Sequence, residues 1–288
     1  MQPFCRSRAP LSPIPDSPTL PLPGPGLLPV QPQAAIFRSI PVPVSAFTNL
    51  SRIASRSIGR LGDAAFRARL MDMHRALVTM GGGTFSGYLG ASRNLSRVIA
   101  ADGMIHPDEC LLLMRLASQV REGVIVEIGS YRGRSTIALA MGSSRGPAVP
   151  VFAIEPHEEF TGVLGRRFGP DDKKAFQRNI AHSTLSRFIH LISATSETAA
   201  KSWSSEIGLL WIDGDHRYEA VRKDFELWSP FLHVDGRIAF DDSTVAGLGP
   251  HTLIEEILST GSFTIMQTVG KVTVLEQSRT FVRPGVAA

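Results

Sequence analysis

Residues 124–136 read VIVEIGSYRGRST. The apolar run VIVEI is too short for a helix and lacks the alternation of a half-exposed strand. It reads as a strand covered on both faces. A glycine-bearing turn follows, then a helical stretch, RSTIALAMG. The unit recurs downstream. VFAIE (151–155) precedes a polar helix near 171–183, FIHLIS (188–193) a helix through 195–202, and IGLLWID (207–213) a helix at about 217–229. GRIAFDD (236–242) closes the series. Apolar runs alternating with helices predict an α/β fold, a doubly wound, mostly parallel sheet. After a helix near 251–259, SFTIMQT and KVTVLEQ predict a terminal hairpin around Val269-Gly270.

Upstream the composition changes. Twelve of the 20 prolines fall in residues 1–43. Proline fixes φ and removes a backbone donor, so residues 1–50 are expected to be a disordered, proline-rich segment. A proline-binding partner, a targeting peptide and an over-long gene start are the readings open to it. Residues 51–100 are expected to form a helical N-terminal extension, because Leu61, Ala65, Leu70, Met73, Leu77 and Met80 recur at helical spacing before Gly81-Gly82-Gly83. Residues 101–288 then form the main domain. It opens with a helix over 106–120, whose Pro107, Asp108 and Glu109 suit a first turn.

Net charge is +4, unevenly placed. Residues 1–100 hold 11 Arg and no Lys against Asp16, Asp63 and Asp72, a balance of +8; residues 101–288 hold 19 basic and 23 acidic groups, a balance of −4. The main domain therefore has no basic character to suggest nucleic acid. No apolar stretch suits a membrane span. Two cysteines make no disulfide framework, so a cytoplasmic location is expected. There is no Ser-His-Asp order with a nucleophile elbow and no Cys/His metal cluster.

In such sheets ligands sit at the carboxyl ends of the strands. The first end, EIGSYRGRST, has Gly129 and Gly133 in a G-x-x-x-G spacing, which disfavours the nicotinamide pattern G-x-G-x-x-G. The second end has Glu155, an acid placed to accept hydrogen bonds from ribose hydroxyls. E-I-G-S-Y-R-G-R-S, I-E-P, I-D-G-D-H and F-D-D together resemble class I S-adenosylmethionine-dependent methyltransferases. Within them the chain is most similar to small-molecule O-methyltransferases of the catechol type and to the macrolide-sugar branch with I-D-G-x-H. The resemblance covers about residues 95–275. It implies a seven-stranded sheet with a reversed last strand. It places Glu127, Gly129 and Tyr131 at the methionine end of the cofactor, Ser135 on its carboxylate, Glu155 on the ribose, and Ala194 and Thr195 near the adenine. Relatives often pair through N-terminal helices, so a homo-oligomer is a further implication.

Asp213, Asp241 and Asp242 end the fourth and fifth strands. Three carboxylates on one rim repel unless a positive group lies between them. A divalent cation is the simplest one, and oxygen ligands suit Mg²⁺, Mn²⁺ or Ca²⁺. His216 matches the proposed base of the sugar-methylating relatives, with Asp213 as its catalytic neighbour. The catechol branch has lysine at that position and Asp-Asn where this chain has Asp241-Asp242; the sugar branch has Glu-Asp. The expected activity is O-methylation of a small hydroxylated acceptor, a sugar, polyol or phenol, with divalent-metal assistance. The rivals are a metal-free methyltransferase using His216 as base, and a non-catalytic cofactor-binding module with a proline-rich arm.

Overall fold

The computed structural model describes residues 64–278. The proline-rich segment expected over 1–50 lies outside them, as do the start of the 51–100 extension and the last ten residues. Strands β1 (Val124–Ile128), β2 (Val151–Ile154), β5 (Ile189–Ile192), β6 (Ile207–Ile212), β7 (Leu232–Phe240), β8 (Phe263–Val269) and β9 (Val272–Gln277) form one seven-stranded sheet, ordered β5-β2-β1-β6-β7-β9-β8. Pairings from β5 to β7 are parallel, and β9 inserts antiparallel between β7 and β8. The expected sheet with its reversed last strand is the observed one. A two-stranded hairpin, β3 (Phe160–Thr161) with β4 (Arg167–Phe168), stands apart from it.

Successive strand residues point to opposite faces, and the core divides accordingly. Ile125 joins Leu111, Leu113, Met114, Leu139 and Trp211 on one face. Val126 joins Leu210, Ile212, Trp228, Ile238 and Phe240 on the other. Glu127 is fully buried, in register with Trp211.

Helix α1 (Ala64–Met80) ends at Gly81, as its spacing predicts, and α2 (Phe85–Ile99) follows. The sequence offers little sign of α2: glycines interrupt it at 87 and 90, and buried Asn94 breaks its apolar face. Its start is fixed by the Thr84 hydroxyl, which accepts from Gly87 N at 3.1 Å. Leu77, Leu95 and Val98 join the same cluster as Leu111 of α3 (Pro107–Ser118), so these helices share the core of the sheet.

The ladder continues one residue beyond the strands. Gly129 N donates to Ile154 O at 3.0 Å, Glu155 N to Ile192 O at 3.1 Å, Asp213 N to Ile128 O at 2.8 Å and Asp241 N to Ile212 O at 3.0 Å. These bonds set Gly129, Glu155, Asp213 and Asp241 level along one rim.

Candidate active site

The turn after β1 begins at Gly129, where φ is +83°. A Cβ there would lie 2.2 Å from the Asp213 carbonyl oxygen. Glycine is therefore required for the β1 and β6 ends to touch. Gly133, at φ +89°, starts α4 (Arg134–Ser143), with Ser135 buried in that helix's first turn.

Glu155 ties this turn together. Its Oε2 accepts from Ser130 N and Tyr131 N, both at 3.1 Å, and its Oε1 accepts from His157 N at 3.0 Å. The His157 ring nitrogen Nε2 lies 2.9 Å from the Tyr131 carbonyl. A carboxylate has about four acceptor positions. Three are engaged, so the carboxylate is held in place with about one acceptor position left.

Glu127 lies beneath the turn. Burial pushes its carboxyl up to about 7, against the Ser135 and Thr136 hydroxyls, which pull it down. Thr136 Oγ1 donates to its Oε2, while Oε1 has no partner of hydrogen-bonding geometry despite the nearness of Ser135. Ser130 Oγ and His157 Nδ1 are likewise buried without a partner. Polar atoms so placed are costly unless a ligand or water meets them.

Next to this turn, the acids gather around His216. Its Nε2 is 3.6 Å from Asp213 Oδ1, and its Nδ1 is 3.3 Å from Asp242 Oδ2. Burial lowers the imidazole pKa, but Asp213, Asp242 and Asp241 outweigh it, leaving the value above its ordinary 6.5. Burial raises Asp213, against His216 and Lys271, and holds Asp241 well above the usual carboxylate range.

Lys271, in the β8–β9 turn, supplies the charge the sequence left unassigned. Its Nζ lies 2.5 Å from Asp241 Oδ2 and 3.0 Å from Asp242 Oδ1. Its backbone N donates to Glu109 Oε1 at 3.1 Å. Neither residue is visible as part of the site from spacing, since Glu109 is 162 positions from Lys271.

One ligand atom each from Asp213, His216 and Asp241 lies within 4.8 Å of the others. His216 Nε2 and Asp241 Oδ1 are buried without a hydrogen-bond partner. Those donors fit a divalent ion on one side of Asp241. Asp242, expected as the third ligand, instead faces His216 and Lys271. Among the other sequence candidates, Thr195 uses its hydroxyl to cap the short helix Ser196–Ala200, and Ala194 is half-buried beside it. Asp215 pairs with Arg217 Nη1 at 2.7 Å. His251 Nδ1 lies 3.0 Å from the Ser243 carbonyl.

The β3–β4 hairpin was not foreseen. Arg166 donates to the Tyr131 hydroxyl at 2.6 Å, and Arg217 donates to Thr161 O at 3.0 Å. It thus spans from the glycine turn to the loop after β6.

Residues 126–243 match a family model described as a methyltransferase domain. An uncharacterized protein of Sinorhizobium fredii is 30% identical over 137 residues, 46% of this chain. The match spans 14% of that protein's length. A methyltransferase of Podospora anserina, solved with S-adenosylhomocysteine, superposes with a TM-score of 0.50 at 15% identity, over 83% of this chain and 98% of its own. An O-methyltransferase of Bacillus cereus, also solved with S-adenosylhomocysteine, gives 0.46 at 17% identity, over 82% and 100%. No helix of the described residues is long and apolar enough to cross a membrane. Residues 126–243 thus match a methyltransferase domain, and the seven-stranded sheet with its reversed β9 has the class I fold seen in the Podospora anserina methyltransferase.

Proposed function

We propose that this chain is an S-adenosylmethionine-dependent O-methyltransferase acting on a small hydroxylated acceptor such as a sugar, polyol or phenol. The observation that carries this reading is His216, held between Asp213 and Asp242 at the rim, next to a turn whose amides are organised by Glu155. In the reaction the acceptor oxygen forms a bond to the methyl carbon as the carbon–sulfur bond breaks. The hydroxyl proton passes to His216, whose neighbouring carboxylates stabilise the imidazolium. Glu127, Tyr131, Ser135 and Glu155 would hold the methionine and ribose parts of the donor. Ala194 and Thr195 would border the adenine.

Divalent-metal assistance is the finer part of the proposal. Asp213, His216 and Asp241 would hold the ion, which when bound would supply Lewis acidity and a lower acceptor pKa; His216 would then be a ligand, and its role as base belongs to the metal-free form. A histidine donor suits Mn²⁺ better than Mg²⁺ or Ca²⁺. A specific observation favours the metal-free alternative: Lys271 already supplies a positive charge between Asp241 and Asp242. The experiment is transfer of labelled methyl from S-adenosylmethionine to a panel of hydroxyl compounds, with Mg²⁺, with Mn²⁺ and with chelator. Transfer to oxygen supports the activity. Rates unchanged by chelator remove the metal, and binding of the donor without transfer to any acceptor overturns the reading.

A further inference from the structure

We infer that Lys271 is a counter-cation built into the acid cluster, and that a divalent ion binds there in competition with it. The inference deepens the reading of this rim as the acceptor site. It rests on the placement of one ammonium group. Lys271 Nζ bridges Asp241 and Asp242 at 2.5 and 3.0 Å, where Asp241 is 2% exposed and Lys271 is 22% exposed at the side chain. A carboxylate so buried is costly to ionise alone.

The lysine is fixed at both ends. Its backbone nitrogen donates to Glu109 of α3, and its carbonyl accepts from both Ser243 N and Ser243 Oγ at 2.9 Å. Ser243 follows Asp242 in sequence, so the hairpin turn is joined to the loop bearing the acids. An exposed lysine has many rotamers and loses them only against comparable contacts. Here three hydrogen bonds to the lysine backbone present the ammonium to these two acids.

The consequence concerns cation affinity. A divalent ion bridging Asp241 and Asp242 needs oxygens that Lys271 now holds. One seated beside Asp213 and His216 meets a positive charge across Asp241. Either way Lys271 lowers affinity for the ion, and it keeps the rim assembled when no ion is bound.

The test is a Mn²⁺ titration of the full chain, with free Mn²⁺ read by electron paramagnetic resonance, on wild type, Lys271→Met and Lys271→Arg. Lys271→Met keeps the reach and removes the charge, and should bind Mn²⁺ at least about tenfold more tightly. Lys271→Arg keeps the charge and should remain near wild type. Without ion, Lys271→Met should melt below wild type and recover several degrees with Mn²⁺; if it folds only with Mn²⁺, that dependence is the same result. Equal Mn²⁺ affinity in wild type and Lys271→Met, a tenfold gain in Lys271→Arg, or no Mn²⁺ bound by any of the three overturns the inference. None of these results touches the methyl-transfer assay, so the two readings fail separately.

Discussion

Glu127 offers a quantitative test of how the rim beneath the β1 turn is built. Its side chain is fully buried in β1, and burial moves its carboxyl from 4.5 to about 7. That difference corresponds to about 3 kcal/mol between the two protonation states. The folded value is the higher one, so the folded protein binds this proton more tightly than the unfolded chain does. The resulting stability is fully present below pH 4.5 and is lost as pH rises through about 7. Glu127→Gln has no such proton to lose and keeps a carbonyl for Thr136. The variant should match wild type near pH 5 and exceed it by up to about 3 kcal/mol at pH 8. Urea unfolding at pH 5, 6, 7 and 8, followed by fluorescence of buried Trp211 and Trp228, measures the difference. Because wild type and variant share every other titrating group, only the change in their separation with pH matters. A constant separation between pH 5 and 8 would refute the argument. If Glu127 does face the methionine end, a cationic ligand should favour its ionised form. Binding of S-adenosylmethionine near pH 6.5 should then release a proton, seen in calorimetry as a dependence on buffer ionisation heat that Glu127→Gln lacks.

Other expectations concern the rim. His216→Gln should lower kcat by about 10²–10⁴ while donor binding measured by calorimetry stays near wild type; an unchanged kcat removes His216 as the base. In wild type the rate should fall as pH drops through the raised His216 value, because the protonated imidazole cannot accept a proton. Asp242→Asn tolerates the φ of 47° at that position and removes the charge facing His216, so turnover should drop with little change in donor affinity. Gly129→Ala should cost at least about 2 kcal/mol in urea unfolding, since its Cβ meets the Asp213 carbonyl and its φ is positive; a loss within about 0.5 kcal/mol would contradict the close approach of β1 and β6.

Strands β1, β2 and β6 were legible because each is an apolar run of four to six residues bounded by a turn, and burial on both faces leaves no other reading. Even so, β7 starts at Leu232 and ends at Phe240, which leaves Asp241 and Asp242 in the loop that follows. HVDG at its start is polar because it forms the exposed end of the strand, so hydrophobicity alone placed the boundary too late. The rim carboxylates were legible for a related reason: acids at the ends of buried strands stand out against the runs before them. Lys271 was not. A lysine in a hairpin turn is ordinarily solvated, and only the antiparallel insertion of β9 beside β7 brings it to Asp241. The β3–β4 hairpin was hidden too, because FTGVLGRRF has strands of only two residues and its role comes from contacts with Tyr131 and Arg217.

Backbone strain follows the same rim. Tyr131, His157 and Asp242 are non-glycine residues with positive φ, of 45°, 55° and 47°. They lie just past the carboxyl ends of β1, β2 and β7. Such conformations cost of order 1 kcal/mol each, and they persist where surrounding contacts determine them. At Tyr131 and His157 those contacts are the Glu155 carboxylate and the bond between the His157 ring and the Tyr131 carbonyl. At Asp242 they are His216, Lys271 and the Ser243 bonds to the hairpin turn. Glycine would meet the backbone demand at lower cost at all three positions, so geometry alone does not explain the residues found there. Each instead keeps a side chain: a phenol under the Arg166 guanidinium, a buried imidazole with one unpartnered nitrogen, and a carboxylate on the proposed base. A rim that bears strain in order to retain those three groups is better accounted for by ligand binding than by stability.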